Sequence, residues 1–219
     1  MTTSAAGFDL AQTDKLLTTT RSVRKRLDFS RPVSRDVVLE CIDIALQAPS
    51  GGNSQPWRWL LVDDPKVIQQ LGAIYQKAHD PYMAANRKAA EEAGVTDRNA
   101  IMDSSTYLSD HMGEVPMMVI PCLLGRVDGS SGTESAGFFG SILPAAWSLM
   151  LALRSRGLGS AWTTLHLVYE KEAAEVLGIP DTVTQCALLP IAYYTGDDFK
   201  PAKRQPATKV TYINGWKQR

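Results

Sequence analysis

The sequence predicts an α+β fold in which helices flank a single mixed β-sheet. Apolar residues at three- and four-residue steps alternate along the chain with short apolar runs typical of strands. No internal repeat or linker-like break interrupts the 219 residues. Since 44% of the residues are hydrophobic, the chain can bury one substantial core. We therefore expect a single domain over 1–219, with a helical insertion at about 77–113.

The first half of the chain predicts two amphipathic helices on either side of a strand. Over 34–48, apolar residues recur at helical spacing behind a favourable serine N-cap. A short strand is expected at 57–62, and Asp64-Pro65 begins the second helix. Gly72 lies inside that helix, where the low helix propensity of glycine is unfavourable.

Apolar segments dominate the second half. We expect a buried strand over 116–124, a mobile Gly/Ser loop over 125–132 and one apolar helix over 135–156 that ends at Gly157. This helix, apolar nearly all round, is the candidate for the centre of the core. The later elements are a strand over 160–164, a helix over 170–177 and a strand over 185–194.

Charge and composition argue against several kinds of partner. The chain carries 23 basic and 23 acidic side chains, so it lacks the basic excess of a nucleic-acid binder. Its start, residues 1–7, has no signal-peptide pattern, and no apolar run approaches the roughly 20 residues that span a bilayer. We expect a cytoplasmic protein with a flexible leader and with neither nucleic-acid nor membrane partners.

The three cysteines, Cys41, Cys122 and Cys186, are expected to be core residues. Each lies in an apolar run without the Cys-x-x-Cys or Cys/His spacing of a disulfide framework or metal site. His79 and His111 lie in the polar helical insertion, and His166 has no acidic or nucleophilic companion in sequence. Neither a metal centre nor a Ser-His-Asp site is therefore expected.

Four short polar clusters are candidates for binding a ligand. The first, Thr20 to Arg26, crowds basic and hydroxyl side chains at the end of a helix predicted in the N-terminal segment before it. Arginine and serine side chains can hold phosphate and ring oxygens. The alternative is that these are solvated charges, favoured at a helix C-terminus by its dipole.

The second cluster, Ala48 to Trp57, places two glycines and several amide or hydroxyl side chains between Pro49 and Pro56. The prolines make the segment rigid, the glycines let a ligand approach the backbone, and the polar side chains offer donors and acceptors. The alternative is a capped connection from helix to strand, with Pro56 at the strand entrance.

The third cluster runs from Gly157 to His166. It is not a dinucleotide-binding loop, because its glycines close a helix and lead into a strand, which is the reverse of that motif. A helix stop explains Gly157 and Gly159. It does not explain Thr163 and Thr164 at a strand end, where backbone groups could face a planar ring.

The fourth cluster is a basic run, Lys200 to Pro206, in the C-terminal tail. A solvated tail is the alternative interpretation. The tail has too few apolar residues to fold by itself, so we expect it to extend and pack on a partner subunit, which predicts a dimer.

In this order the four clusters resemble the nitroreductase family of FMN-dependent oxidoreductases. The pattern is Arg-Ser-Val-Arg at 21–24, Pro-Ser-x-x-Asn-Ser-Gln-Pro-Trp at 49–57, Gly-Leu-Gly-Ser at 157–160, and a basic residue shortly before a proline near the end. No single piece is decisive, but their ordered conjunction spans nearly the whole chain.

The resemblance implies a nitroreductase-like homodimer with FMN at its interface. The FMN-binding residues that it implies are Arg21, Ser22, Arg24, Pro49, Ser50, Gly51, Asn53, Gln55, Thr163, Thr164, Leu165 and Arg204. Arg24 would lie near the pyrimidine side of the flavin, with Arg21 and Arg204 towards the phosphate. A backbone amide within 163–165 would bond the reactive ring nitrogen, and the 49–55 turn would come partly from the other subunit.

One departure affects the phosphate contacts. Many relatives have two arginines before the serine, whereas this chain has Thr20-Arg21. Lys203 could take over this contact, and the alternative is that the contact is absent. Relatives also often carry a second basic pair close to the tail proline, and either Lys200 or Lys203 could fill that place here.

The 77–113 insertion falls where the family varies its substrate-side lid. Tyr82 and Tyr107 in this insertion are candidates for stacking on an acceptor, and amphipathic surface aromatics are the alternative interpretation.

The implied chemistry belongs to FMN, so no catalytic side chain is expected. FMN would accept hydride from NADPH or NADH and then reduce a nitroaromatic, quinone or similar small acceptor in a ping-pong cycle. The same scaffold also supports dehalogenation, flavin breakdown and ring dehydrogenation. A flavin-binding module without turnover is the alternative from a different class.

Overall fold

The structure of the chain, a computed structural model, describes residues 7–96 and 98–218. The predicted leader falls mostly on residues 1–6, which lie outside the described residues. The elements are α1 Leu10–Thr19, β1 Leu27–Asp28, α2 Arg35–Ala45, β2 Trp57–Val62, α3 Pro65–Glu92, α4 Asn99–Asp110, β3 Met117–Leu124, α5 Gly132–Gly140, α6 Leu143–Ser155, β4 Leu158–Ser160, α7 Glu170–Leu177, β5 Val183–Gln185, β6 Leu189–Tyr194 and α8 Ala207–Val210. Short 3-10 turns lie at Gly51–Asn53, Met112–Glu114 and Leu165–Tyr169.

The described chain forms two compact units. One comprises 7–20 and 197–218 and contains α1 and α8. Within it, the Asp9 carboxylate caps α1 by accepting the Gln12 N–H, and Lys15 Nζ lies 2.7 Å from Asp198 Oδ2. The other unit, 21–196, carries the whole sheet and the other six helices.

The sheet of the larger unit has the strand order β1-β6-β3-β2, with β4 paired to β6 and β5 to β3. Every ladder is antiparallel, for example Trp57 opposite Leu123 in β2 and β3. Parallel pairing enters this mixed sheet through an isolated bridge between Ser22 and Ser160. That bridge joins the first candidate cluster to the third.

The core lies between the sheet and the pair α2 and α6. Its buried members include Val38, Cys41, Ile42, Ala45, Met117, Val119, Leu149, Met150, Leu153, Leu189 and Ile191. Each large aliphatic side chain buried here contributes roughly 1.5–3 kcal/mol relative to an exposed one.

The prediction that the cysteines are core residues is confirmed, since all three are buried and free. Burial raises the pKa of Cys122 and of Cys186 to about 12. Both therefore stay protonated and unreactive at neutral pH.

The apolar helix predicted over 135–156 is two helices, α5 and α6. Pro144 has no N–H to donate to the carbonyl one turn earlier, and it therefore falls in the first turn of a new helix. At the junction, the Ser141 hydroxyl donates to the Gly137 carbonyl at 2.8 Å. The first helix also starts earlier than predicted, because Ser131 and Glu134 form a capping box.

Gly132–Ser155 is long and apolar enough, by composition alone, to cross a membrane. The expectation that no apolar run approaches this length is therefore wrong. In this fold the stretch is interrupted at Ser141 and its second half packs in the core through Leu149 and Leu153. The second half, α6, thus has the role of a core helix, whereas none of the residues of α5 is buried.

The last two predicted strands are shorter than expected. The strand predicted over 160–164 is only Leu158–Ser160, and the strand predicted over 185–194 divides into β5 and β6. The division has its cause in the pairing with β3: Gln185 lies opposite Cys122 and Leu189 opposite Val119, so the segment between β5 and β6 holds one extra residue and forms a bulge. The isolated bridge between Thr163 and Leu188 continues the register of β4 and β6 beyond Ser160.

The loop predicted to be mobile, 125–132, makes definite contacts. The Arg126 guanidinium bonds both Asp128 and Glu170 at 2.7 Å, and these carboxylates raise its pKa. The ion pairs tether the loop to the start of α7.

Candidate functional site

The segment 21–24 runs along the edge formed by β4. The Val23 N–H donates to the Ser160 carbonyl at 2.8 Å, and the Trp162 N–H donates to Ser22 Oγ at 3.4 Å. Arg21, like Ser22, is half-buried. The structure therefore brings the first and third sequence clusters together.

Close packing, not a helix stop, explains Gly159. A Cβ at this position would lie 3.0 Å from both Val23 Cβ and Leu27 Cδ2. The helix stop is Gly157 alone, with φ at 77°. The expectation that Gly159 belongs to the helix stop is therefore wrong.

Arg24 is a half-buried cation at the wall of a cavity of about 490 Å³. Burial lowers the pKa of its guanidinium, and the nearby Tyr75 acts in the opposite direction. No carboxylate of the described residues pairs with Arg24. Because partial burial of an uncompensated charge is costly, this arrangement favours an anionic or electron-rich ligand.

The other walls of this cavity, which we call the lid cavity, come from α3 and α4 and the turn between them. They are Tyr82, Met83, Asn86, Ala89, Ala90, Ala93, Val95, Arg98, Ile101, Met102 and Ser105. The structure thus places the predicted Tyr82 beside Arg24. Sequence reasoning missed Asn86 and Arg98, although a helical projection of 82–93 would have put Asn86 on the face of Tyr82.

Tyr107 does not line the lid cavity. Its ring lies 4.4 Å from that of His111, which in turn stacks on Phe29 at 5.9 Å. This packing favours a structural role for Tyr107 over the predicted contact with an acceptor.

The 49–55 turn is exposed at Pro49 and throughout Gly51–Gln55, and it is strained. Asn53 and Gln55 have φ of 53° and 49°, in the left-handed region that non-glycine residues rarely adopt. The Gln55 N–H donates to Ser50 Oγ and its side-chain amide donates to Asn53 Oδ1, both at 3.1 Å. Exposed strain of this kind is typical of binding sites.

The turn is anchored on the junction of α5 and α6, where the Gly51 N–H donates to Ser141 Oγ at 3.0 Å. The hydrogen bonds described for this turn do not include one to the segment 21–24. The structure therefore does not join the second cluster to the first through hydrogen bonds within one protomer.

The segment 163–165 presents backbone donors. Thr163 is buried and its hydroxyl donates to the Leu188 carbonyl at 2.6 Å, so this hydroxyl is committed to the sheet. Thr164 is exposed and Leu165 is half-buried. Within the described part of the chain, no acceptor receives the amide N–H of either residue. Both N–H groups are therefore available to a ligand.

His166 is fully buried, and neither ring nitrogen has a hydrogen-bond partner among the described residues. Burial lowers its pKa from 6.5 to about 4, against the opposing effect of Glu170. The ring is therefore neutral in the native protein at neutral pH.

We expect His166 to make the protein sensitive to acid. Above about pH 6.5 neither the native nor the unfolded chain binds this proton, and the native state keeps its full stability. Between about pH 6.5 and 4 the unfolded chain takes up the proton and the buried ring does not, so stability falls. We expect the free energy of unfolding, measured with urea, to be lower at about pH 4.5 than at about pH 7, with about 2 kcal/mol of the difference due to His166. The variant His166→Leu should lack this contribution. An equal acid loss in this variant would contradict the assignment, and His111→Leu is the matched control.

The fourth cluster belongs to the smaller unit, where it precedes α8. Lys200, Lys203 and Arg204 are all exposed, and Arg204 Nη1 donates to the Lys203 carbonyl at 3.0 Å. The predicted phosphate contact of Arg204 stays a prediction.

Comparison with known proteins identifies the family of this chain. The profile of the Nitroreductase family matches residues 17–193. An iodotyrosine deiodinase from Thermotoga neapolitana is 26% identical over 94% of this chain and 96% of its own length. An NADH dehydrogenase from Thermus thermophilus is 28% identical over 87% and 90% of the two chains. The structure of the FMN-dependent nitroreductase NfnB from Mycobacterium smegmatis in complex with NADPH superposes with a TM-score of 0.68 at 18% identity, covering 94% of this chain and all of the other.

The family profile covers both joined clusters, the exposed turn and the lid cavity, and the solved structure shares the arrangement of helices and sheet. The chain therefore belongs to the Nitroreductase family.

Proposed function

We propose that this protein is an FMN-dependent oxidoreductase that passes electrons from NADPH or NADH to a small electrophilic acceptor such as a nitroaromatic compound or a quinone. One observation carries the proposal: Arg24, half-buried and without a carboxylate partner among the described residues, lines the lid cavity and follows Ser22 of the 22–160 bridge on the same segment. A bound flavin would supply oxygens that accept hydrogen bonds from this guanidinium. Its reduced ring would supply a negative charge as the missing partner.

The neighbouring donors also fit a flavin. The amides of Thr164 and Leu165 can donate to ring nitrogen or oxygen atoms, and Arg21 and Ser22 precede Arg24 on the same segment. FMN, when bound, would supply the redox chemistry by accepting hydride and then giving electrons to the acceptor. The role of Arg24 would be to stabilise negative charge on the reduced ring, which raises its potential. Arg204 would hold the phosphate.

We further propose a homodimer with FMN at the interface. The outer faces of the packed pair α2 and α6 expose Leu39, Ile44, Leu143 and Trp147, which a second copy would cover. In such a dimer, the exposed 49–55 turn of one protomer would complete the site of the other. A reducing, cytoplasmic location suits the three buried, unpaired cysteines.

Reductive dehalogenation is the second candidate function. The Thermotoga neapolitana relative, which matches almost the whole chain, is named as a deiodinase. A panel of nitroaromatic, quinone and halophenol acceptors, each mixed with the NADPH-reduced protein, would separate the two candidates by the rate at which flavin absorbance returns.

The test of the proposed function is anaerobic reduction of the FMN-loaded protein. We expect NADPH or NADH to bleach the visible flavin band within the time of turnover, and an acceptor to restore it. Free FMN at the same concentration is the control, because it shows the uncatalysed rate. Bleaching no faster than in the control would contradict the proposal and favour a flavin-binding module without turnover.

A further inference from the structure

We propose that the lid cavity selects aromatic acceptors that carry a carboxylate, and that Arg98 is the residue that recognises this group. The proposal rests on the proposed function, since it concerns the second substrate of the same site.

The walls favour a flat apolar ring. Met83, Ile101 and Met102 line the cavity together with alanines of α3, and a volume of about 490 Å³ accommodates a small aromatic molecule. Methionine side chains adapt to aromatic surfaces and make favourable contacts with them.

The charges favour an anion. Arg24 and Arg98 both line the cavity, and none of its described lining residues is acidic. Arg24 is committed to the flavin in the proposed function, so Arg98 is the cation left for the acceptor. No carboxylate of the residues 7–96 and 98–218 pairs with Arg98.

Arg87 shows the contrast within the same lid. Its Nη2 donates to Asp103 Oδ1 at 2.9 Å. Arg87 lines a second cavity of about 360 Å³, which also contains Glu91 and which adjoins the lid cavity at Ala90, Val95 and Met102. Asp103 therefore neutralises Arg87 within the lid. None of the described carboxylates neutralises Arg98, which lines the lid cavity.

Tyr82 and Asn86 add polar groups at the same wall. The Asn86 side-chain amide donates to the Tyr82 carbonyl at 2.8 Å. The Asn86 Oδ1 and the Tyr82 hydroxyl can then form hydrogen bonds with a substituent on the ring of the acceptor. A planar fork from Arg98 can hold a carboxylate through two parallel hydrogen bonds.

The experiment uses probes that cannot be reduced. Benzoate, benzyl alcohol and benzylamine are titrated by calorimetry into the FMN-loaded protein and into Arg98→Gln, Arg98→Lys and Arg87→Gln. We expect benzoate to bind about tenfold more tightly than benzyl alcohol, and benzylamine to bind most weakly. Arg98→Gln should abolish the preference and Arg98→Lys should keep part of it. Arg87→Gln should leave the preference unchanged.

Steady-state rates with 4-nitrobenzoate and nitrobenzene extend the test to turnover. The variant Arg98→Gln should raise KM for 4-nitrobenzoate about tenfold and leave nitrobenzene and the bleaching by NADPH unchanged. Equal binding of benzoate and benzyl alcohol, or the same loss in Arg87→Gln as in Arg98→Gln, would overturn the inference. Normal bleaching by NADPH without a preference for the carboxylate would contradict this inference alone. A preference for benzoate without any bleaching would contradict the proposed function alone.

Discussion

Replacing Arg24 with alanine is expected to weaken FMN binding by about tenfold to a hundredfold, the range for losing a charged hydrogen bond. The reason is that this guanidinium lines the lid cavity with no carboxylate of the described chain to neutralise it. The reduction potential of the remaining flavin should also fall, because a positive charge near the ring stabilises its reduced form. An equilibrium FMN titration and a redox titration measure the two effects.

Two variants control for this result. Arg24→Lys keeps the charge without the planar fork and should lie between wild type and alanine in both measurements. Lys25→Ala removes the adjacent, exposed charge and should change neither. If Arg24→Ala retained wild-type FMN affinity and potential, the role assigned to Arg24 would be wrong.

Replacing Gly72 with alanine is expected to destabilise the protein by about 1–3 kcal/mol, the usual cost of overpacking a close contact. A Cβ on Gly72 would lie 2.6 Å from the Gly113 nitrogen and 2.7 Å from its Cα. Both are backbone atoms, so relief requires α3 to move away from the turn that follows α4. Urea or thermal unfolding measures the loss.

Gly137 in α5 provides the matched control. A Cβ there meets no atom within 4 Å, and Gly137→Ala should be neutral or should stabilise by up to about 1 kcal/mol through helix propensity. If Gly72→Ala proved as stable as wild type, α3 would not approach Gly113 as closely as described.

The sequence predicts those elements whose signals are local. The strands β2 and β3 and the helix α7 were predicted within a residue of their observed bounds, because each is a distinct apolar run or periodic segment between clear breakers. Gly72 was interpreted only as a flaw in α3. Glycine stands at this position because α3 packs closely on Gly113, and no local sequence pattern reveals such a tertiary contact.

Where two local signals conflict, the sequence alone misleads. In 135–156 the continuous apolar pattern predicted one helix, although Pro144 already marked a boundary between two. The two-residue strand β1 lacks a pattern long enough to detect, and the division of β5 from β6 depends on a one-residue change of register against β3.

For the site, motifs indicated the clusters but not their chemistry. The Arg-Ser-Val-Arg motif drew attention to Arg24, but its lack of a carboxylate partner is a property of the folded chain. Tyr82 and Tyr107 were equivalent in sequence, and only the folded chain separates one that faces the lid cavity from one that packs on His111. Arg98 follows no motif and became a candidate only through its place on the cavity wall.

The central claim is that Arg24, the amides at 164–165 and the 49–55 turn of a partner protomer hold one flavin. A crystal structure of the FMN-soaked protein tests it most directly. We expect two protomers per site, with the Arg24 guanidinium and a backbone amide at 164 or 165 within hydrogen-bonding distance of the flavin ring and the turn of the second protomer beside it. A flavin bound elsewhere, or these three segments far from one another across every pair of protomers, would contradict the account.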